Sequence, residues 1–216
     1  MPDLSYLLVV VGPNGSGKSS IIEYIIDELP EDDSLKTLRM INADITERAI
    51  AEISSIHDPL IRAKEAQVWC NRERKRLRGK HESFGYETVG SHPIPGERHF
   101  DFMQEARNLG YTVEMLFVST ENPAINIRRV AKRVADGGHG VSEQKIVERY
   151  YRTMNFLPQY LDACDFAFVI DNSIDDAPFR VLLSQERGSI ELTKAGQESQ
   201  WLKTYLPDSR YNLQIK

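Results

Sequence analysis

Nine consecutive residues near the N-terminus, GPNGSGKSS at positions 12–20, have the composition of a phosphate-binding site. Gly12, Gly17, Lys18 and Ser19 occupy the fixed positions of the pattern GxxxxGK[ST], between an apolar run and a helical pattern. Glycines let backbone N–H groups turn inward toward an anion, and the N-terminus of the following helix adds partial positive charge. In this pattern the lysine reaches the β- and γ-phosphates and the hydroxyl ligates Mg²⁺. The sequence therefore predicts a site for a nucleoside triphosphate with magnesium.

We expect the nucleotide to be ATP and the whole loop to contact it, with Ser19 holding the metal. The residues so assigned are Gly12, Pro13, Asn14, Gly15, Ser16, Gly17, Lys18, Ser19 and Ser20. The NKxD and DxxG motifs of GTPases do not occur in the sequence. Asp171 ends the run FAFVID, as a Walker B aspartate would, but Asn172 and Ser173 follow it without a glutamate. We interpret Asp171 as a residue near the nucleotide base, with a Walker B role as the weaker alternative, and a small-molecule kinase is the remaining class.

A kinase also needs a carboxylate that takes the proton of the acceptor hydroxyl, and Asp44 is the first candidate. It follows a short apolar run and precedes a helical pattern, a place from which side chains point into the crevice at the strand ends. The alternative is that Asp44 caps the helix, with Glu47 completing a capping box. Glu87, Thr88 and Ser91 follow the next apolar run, so we expect them at the same rim, in contact with the acceptor.

Arginines are concentrated at positions 128–152, on both sides of the hinge-like sequence DGGHG. Arg129 and Arg133 are four residues apart and share a helix face. We predict a lid that brings Arg133, Arg129 or Arg149 onto the transferring phosphoryl group. His139 could contact phosphate too, although a histidine in a solvated loop is the more ordinary interpretation. The alternative for the whole segment is an exposed pair of helices whose arginines only confer solubility.

The composition limits the other classes of function. The chain has 216 residues, a formal charge of −5 and two cysteines, Cys70 and Cys164, without metal-binding spacing. This charge argues against general binding to nucleic acid, and no apolar run is long enough to span a bilayer. Residues 62–80 carry eight basic and two acidic side chains. They indicate a solvated helix face, or alternatively a surface that attracts a phosphorylated substrate. We expect a cytoplasmic protein.

Short apolar runs alternate with amphipathic segments along the chain, which is typical of an α/β protein. The runs at 6–11, 38–42, 83–88, 112–118 and 166–171 predict strands of a mostly parallel sheet. The segments at 18–29, 45–55, 61–78, 97–109, 123–135 and 142–155 predict helices. Residues 179–194 predict a C-terminal hairpin with its turn at Gly188. We therefore expect one three-layer kinase domain over residues 1–216, with a lid at about 128–152 and a hairpin and tail at about 178–216.

Four motifs in order resemble the zeta-toxin family of P-loop kinases. They are the phosphate loop, INAD at the second strand, YETVGS at the third, and RVAKRVADGGHGV…IVERYYR…LPQYLDACDFAFVIDNS, and together they cover roughly residues 7–173. The Gly-Gly-His in the lid matches the compact, stand-alone branch of the family. The chain reads Glu87-Thr88-Val89 where the well-known toxins have an acid-Gly-Thr order, and it lacks their second lid arginine near His139.

The resemblance implies a function as well as a fold. It implies transfer of the γ-phosphoryl of ATP to the 3′-hydroxyl of an amino-sugar nucleotide such as uridine diphosphate N-acetylglucosamine. Asp44 would then be the base, Glu87 and Thr88 would hold the sugar, and Arg133 would be the lid arginine. An antitoxin protein is a candidate partner. Two alternatives remain: a kinase for a different hydroxyl metabolite, and a nucleotide-gated interaction protein without turnover.

Overall fold

The computed structural model describes residues 5–30, 33–91, 98–137, 140–175, 177 and 179–206. Within them, seven strands form one sheet: Tyr6–Val11 (β1), Met40–Ile41 (β2), Phe84–Thr88 (β3), Thr112–Ser119 (β4), Phe166–Asp171 (β5), Arg180–Glu186 (β6) and Ser189–Leu192 (β7). The helices are Lys18–Glu28 (α1), Ala43–Ile53 (α2), Pro59–Gly79 (α3), His99–Asn108 (α4), Pro123–Ala135 (α5), Glu143–Asn155 (α6), Leu157–Asp162 (α7), Lys194–Glu198 (α8) and Gln200–Tyr205 (α9). A short 3-10 turn lies at Ser34–Thr37.

The strands lie in the order β2-β3-β1-β4-β5-β6-β7. β1 to β5 are parallel, whereas β6 and β7 are antiparallel. β1 therefore lies between β3 and β4. The chain first adds β2 and β3 on one side of β1 and then crosses to add β4 and β5 on the other side. In open α/β sheets this reversal opens a crevice at the carboxyl ends of the strands, where ligands bind.

The two faces of the sheet are buried against different helices. Along β1, Leu7, Val9 and Val11 point into the larger core, with side chains of α3, α4, α6, α7 and α9. Val10 points the other way, into a smaller core with Ile21 of α1. This alternation follows from the two-residue period of a strand, and it gives the three layers that the sequence predicts.

The C-terminal hairpin is also confirmed. β6 and β7 are joined at Arg187 and Gly188, whose φ values of 44° and 85° are those of a two-residue turn with both central residues left-handed. No pattern in the sequence predicts α8 and α9, although α9 places Trp201 and Leu202 in the larger core. Both helices, of five and six residues, are shorter than two helical turns, so no repeating apolar pattern marks them.

Beside the crevice, the expected bounds of one strand and one helix differ from the structure. The strand expected at 38–42 is only Met40–Ile41, an edge strand paired with β3 alone. The helix expected from Ile45 begins at Ala43, and its N-cap is Asn42, whose side chain accepts from the N–H groups of Asp44 and Ile45. The capping role considered for Asp44 is therefore wrong.

The basic segment at 62–80 lies on α3 and is only partly solvated. Arg74 is 2% exposed, Arg62 pairs with the buried Glu47, and Arg78 pairs with Glu105. Several of the charges thus hold the helix to its neighbours. None of the described helices is long and apolar enough to cross a membrane.

Candidate functional site

The phosphate loop connects the end of β1 to the start of α1, as the sequence predicts. Gly17 precedes the helix with a φ of 94°, and Gly15 has a φ of 77°. Gly12 has a different reason to be glycine, since a Cβ there would lie 2.0 Å from the backbone oxygen of Val118. The N–H groups of the first turn of a helix have no intrahelical partners, and no side chain caps α1. The loop and the helix start therefore present unpaired N–H groups suited to phosphate.

Lys18 is the first residue of α1 and is 7% exposed, with its side chain directed back into the phosphate loop. Its Nζ donates to the backbone oxygen of Pro13 at 3.1 Å and lies 3.7 Å from Oε1 of Glu87. Burial lowers the pKa of the Lys18 ammonium, while the charges of Glu87 and Asp44 oppose that effect. The Oγ of Ser16 is buried and has no hydrogen-bond partner among the described residues. A buried cation beside an unpartnered hydroxyl fits the phosphates of a nucleotide.

Glu87 joins the phosphate loop to the end of β2. Its Oε2 accepts from the hydroxyl of Ser19 at 3.0 Å and from Nδ2 of Asn42 at 2.9 Å. Carboxylate and hydroxyl oxygens are the ligands that Mg²⁺ prefers, so Ser19 and Glu87 together fit the metal expected with the nucleotide. The described residues contain no group of three or more His, Cys, Asp or Glu side chains arranged for a metal ion. Mg²⁺ in proteins is usually coordinated by one or two side chains, with phosphate and water oxygens as its remaining ligands.

Thr88 points away from Glu87, since successive side chains of a strand leave opposite faces. Its Oγ1 lies 2.9 Å from Nε2 of His99 and accepts from the N–H of Gly90 at 3.1 Å. Ser91 is 1% exposed, and its Oγ has no partner among the described residues. The structure therefore separates Glu87, on the phosphate side, from Thr88 and Ser91.

Asp44 lies in the first turn of α2, at the crevice rim. Its carboxylate is exposed and makes no hydrogen bond or ion pair with any described residue. Its negative charge nevertheless raises the pKa of Lys18. The N-terminus of α2 stabilises this negative charge. A carboxylate that neither caps its helix nor pairs with a neighbour can accept a proton from a bound hydroxyl.

The arginines predicted to form a lid lie on α5 and α6, but they face different neighbours. Arg149 of α6 donates from Nη1 to Oδ1 of Asn14 in the phosphate loop at 3.3 Å, and burial lowers the pKa of its guanidinium. Arg133 is exposed, and its positive charge lowers the pKa of Lys18. Arg129 instead binds Asp175, outside the crevice centre. His139 lies outside the described residues.

Asp171 is committed to contacts within the protein. It is 3% exposed, and its two oxygens accept from Ser173 and from Arg180. β4 separates its strand from β1. These contacts and this position give no support to a Walker B role for Asp171.

Three asparagines that the sequence did not single out complete the site. Asn42 follows β2 and contacts Glu87, Asn172 follows β5, and Asn126 lies on α5. The signal for Asn42 and Asn172 was present, since both directly follow a strand. Asn126 could not be identified, because an asparagine inside a helix pattern is ordinarily solvated.

Comparison with known proteins identifies the fold. No family model and no curated protein matches the chain. A structure of AvrRxo1-ORF1:-ORF2 with ATP aligns with a TM-score of 0.67 and 13% identity, covering 92% of this chain and 64% of the other. A structure from the PezAT chromosomal toxin–antitoxin system of Streptococcus pneumoniae aligns with a TM-score of 0.54 and 15% identity, covering 79% of this chain and 69% of the other.

These likenesses show a shared fold at low sequence identity. The chain spans only about 64% of the length of the AvrRxo1-ORF1 structure that it matches.

Proposed function

We propose that the protein is an ATP- and Mg²⁺-dependent kinase that phosphorylates a hydroxyl group of a small molecule. The observation that carries this proposal is the position of Lys18. Its buried ammonium lies within the phosphate loop, next to the carboxylate of Glu87 and under the influence of Asp44. The fold shared with a protein crystallised with ATP supports the choice of nucleotide.

The residues divide into two groups across the transferred phosphoryl. The phosphate loop and Lys18 hold the β- and γ-phosphates, and Ser19 with Glu87 would hold the magnesium, which when bound neutralises phosphate charge. The contacts of Glu87 favour this role over the sugar-binding role that the resemblance implied. Thr88 and Ser91 remain the candidates for contact with the acceptor.

Asp44 is the base in this proposal. Its carboxylate takes the proton of the acceptor hydroxyl as the acceptor oxygen bonds to the γ-phosphorus, and the bond from that phosphorus to the bridging oxygen breaks to release ADP. Arg133 and Arg149 neutralise the charge that develops on the transferring group. Of the two, Arg149 already contacts the phosphate loop.

An amino-sugar nucleotide such as uridine diphosphate N-acetylglucosamine is the acceptor that the zeta-toxin resemblance favours. The test is incubation of the protein and Mg-ATP with a panel of sugar nucleotides and other hydroxyl metabolites. Mass spectrometry would detect a product heavier by one phosphate, and Lys18→Ala serves as the inactive control. A phosphorylated product from another acceptor would support the kinase activity and identify a different substrate. ATP binding without any product would favour the nucleotide-gated interaction protein.

An antitoxin partner is part of the same proposal. One structural neighbour comes from a toxin–antitoxin system, and another was crystallised as an ORF1:ORF2 complex. A partner of this kind would suppress transfer when bound. Co-purification with the product of an adjacent gene, followed by the transfer assay on the complex, would test it. Full activity in such a complex would argue against an antitoxin.

A further inference from the structure

Two asparagines hold backbone oxygens of the phosphate loop from outside the crevice. Nδ2 of Asn126 donates to the oxygen of Asn14 at 2.7 Å, and Nδ2 of Asn172 donates to the oxygen of Ser16 at 2.8 Å. We propose that Asn126 and Asn172 are positioning residues that give the loop its phosphate-binding shape. This inference rests on the proposed function of the loop.

The geometry of the peptide bond explains how an outward contact acts on the inside of the loop. In a planar trans peptide, the C=O of one residue and the N–H of the next point in opposite directions. Holding the oxygen of Asn14 outward thus turns the N–H of Gly15 inward, and holding the oxygen of Ser16 does the same for Gly17. Both glycines have positive φ, so the chain between the two contacts can turn in this way without strain.

Asn126 is fixed by its surroundings. It is fully buried on α5, and its Oδ1 accepts from the hydroxyl of Thr120. This contact determines the orientation of the amide, so Nδ2 is directed at the loop. A Cβ on Gly15 would lie 2.7 Å from the backbone oxygen of Asn126, which shows that α5 packs directly on the loop.

Asn172 is fixed by the same helix through Arg129, which follows Asn126 by three residues and therefore lies on the same face. Nη1 of Arg129 donates to the backbone oxygen of Asn172 at 2.7 Å, while its Nη2 and Nε contact Asp175. Contact with the Arg129 guanidinium holds the pKa of Asp175 below its usual range. Arg129, one of the three arginines expected on the phosphoryl group, is therefore a positioning residue, and α5 controls the loop at two points.

Nucleotide binding, measured without turnover, tests the inference. Asn126→Asp keeps the shape and the contact with Thr120 but loses the donor, and Asn172→Ala loses the second donor. Each should weaken ATP and ADP binding on the order of tenfold, the effect of one buried hydrogen bond. AMP binding should change less, because the phosphate loop mainly holds the β- and γ-phosphates.

Asn122→Asp is the control for the added charge. Asn122 caps α5 and does not contact the loop, and aspartate caps equally well, so ATP binding should change less than about twofold. A merely structural role for Asn126 or Asn172 would lower the melting temperature and leave the ratio of ATP to AMP affinity unchanged. That result would overturn the inference.

Arg129→Ala and Arg128→Ala form the second pair. Among the described residues, Arg128 contacts Asp175 and not Asn172, so Arg128→Ala should leave ATP affinity unchanged. Arg129→Ala should weaken ATP affinity several-fold, with kcat largely retained at saturating ATP. A fall of kcat on the order of a thousandfold would instead assign Arg129 to the transition state. If the wild-type protein binds ATP and the variants lose affinity but no acceptor is phosphorylated, the inference stands and the kinase proposal fails.

Discussion

Glu87 and Thr88 are consecutive residues, yet their side chains lie on opposite faces of the sheet because they leave β3 in opposite directions. Glu87 contacts Ser19 and lies near Lys18, whereas Thr88 contacts His99. The resemblance to zeta toxins implied that both residues hold the sugar. The alternation of the strand instead directs the two side chains at different neighbours.

Replacing Glu87 by Gln should make nucleotide binding depend on a higher magnesium concentration. The amide keeps the shape of the side chain but removes the charge beside Ser19, so the metal is held less tightly while ATP without metal binds as well as before. A titration of Mg²⁺ at fixed ATP measures this shift. Thr88→Val is the matched neighbour, and an equal shift in that variant would refute the separation of the two roles.

Asp44→Asn should lower kcat by about 10² to 10⁴, the usual range for loss of a general base, with ATP affinity unchanged. The melting temperature should fall only slightly, because Asn42 and not Asp44 caps α2 and a single charge at a helix N-terminus contributes only about 0.3–1 kcal/mol. Asn42→Ala provides the contrast, since loss of an N-cap costs about 1 kcal/mol of stability. Single-turnover kinetics with thermal unfolding of both variants would check the assignment. A stable Asp44→Asn protein with normal kcat would exclude Asp44 as the base.

At the scale of elements, the sequence predicted best where the apolar period was long. α5 has the expected bounds at Pro123–Ala135, and β1 and β5 also match, since their apolar runs are continuous. β2 has only two residues, so the apolar run around it extends beyond the paired backbone.

The phosphate loop was recognised from its spacing. The asparagines that support it were not, because their contacts join residues more than a hundred positions apart.

In the segment predicted to form a lid, the contacts along α6 distinguish the arginines that the sequence grouped together. Arg149 and Arg152 are three residues apart on α6, but Arg149 contacts the phosphate loop and Arg152 pairs with Glu148 on the same helix. Arg149→Ala should lower kcat by roughly a thousandfold if it neutralises the transferred phosphoryl. Arg152→Ala should lower it less than about twofold, as an exposed ion pair contributes little. Equal effects of the two substitutions would contradict this assignment.

At the scale of the whole molecule, burial in the larger core raises the pKa of several weak acids. Burial raises the pKa of the Cys164 thiol to about 12 and, with the charge of Glu82, that of Tyr111 to about 12. Tyr160 lies in the larger core, and burial raises the pKa of its phenol as well. The unfolded chain would ionise these groups near their ordinary values of 9.0 for cysteine and 10.0 for tyrosine.

Stability should therefore fall as the pH rises above about 9, the region where the unfolded cysteine begins to ionise. A native pKa above the unfolded one means that the folded protein binds more protons than the unfolded chain, so removing protons favours unfolding. The contribution is fully present below pH 9 and is lost progressively toward pH 12. Melting temperatures from pH 7 to 11, with phenolate absorbance recorded in parallel, would measure it. Phenolate that appears in full near pH 10 while the protein stays folded would show that these tyrosines are not held neutral by the core.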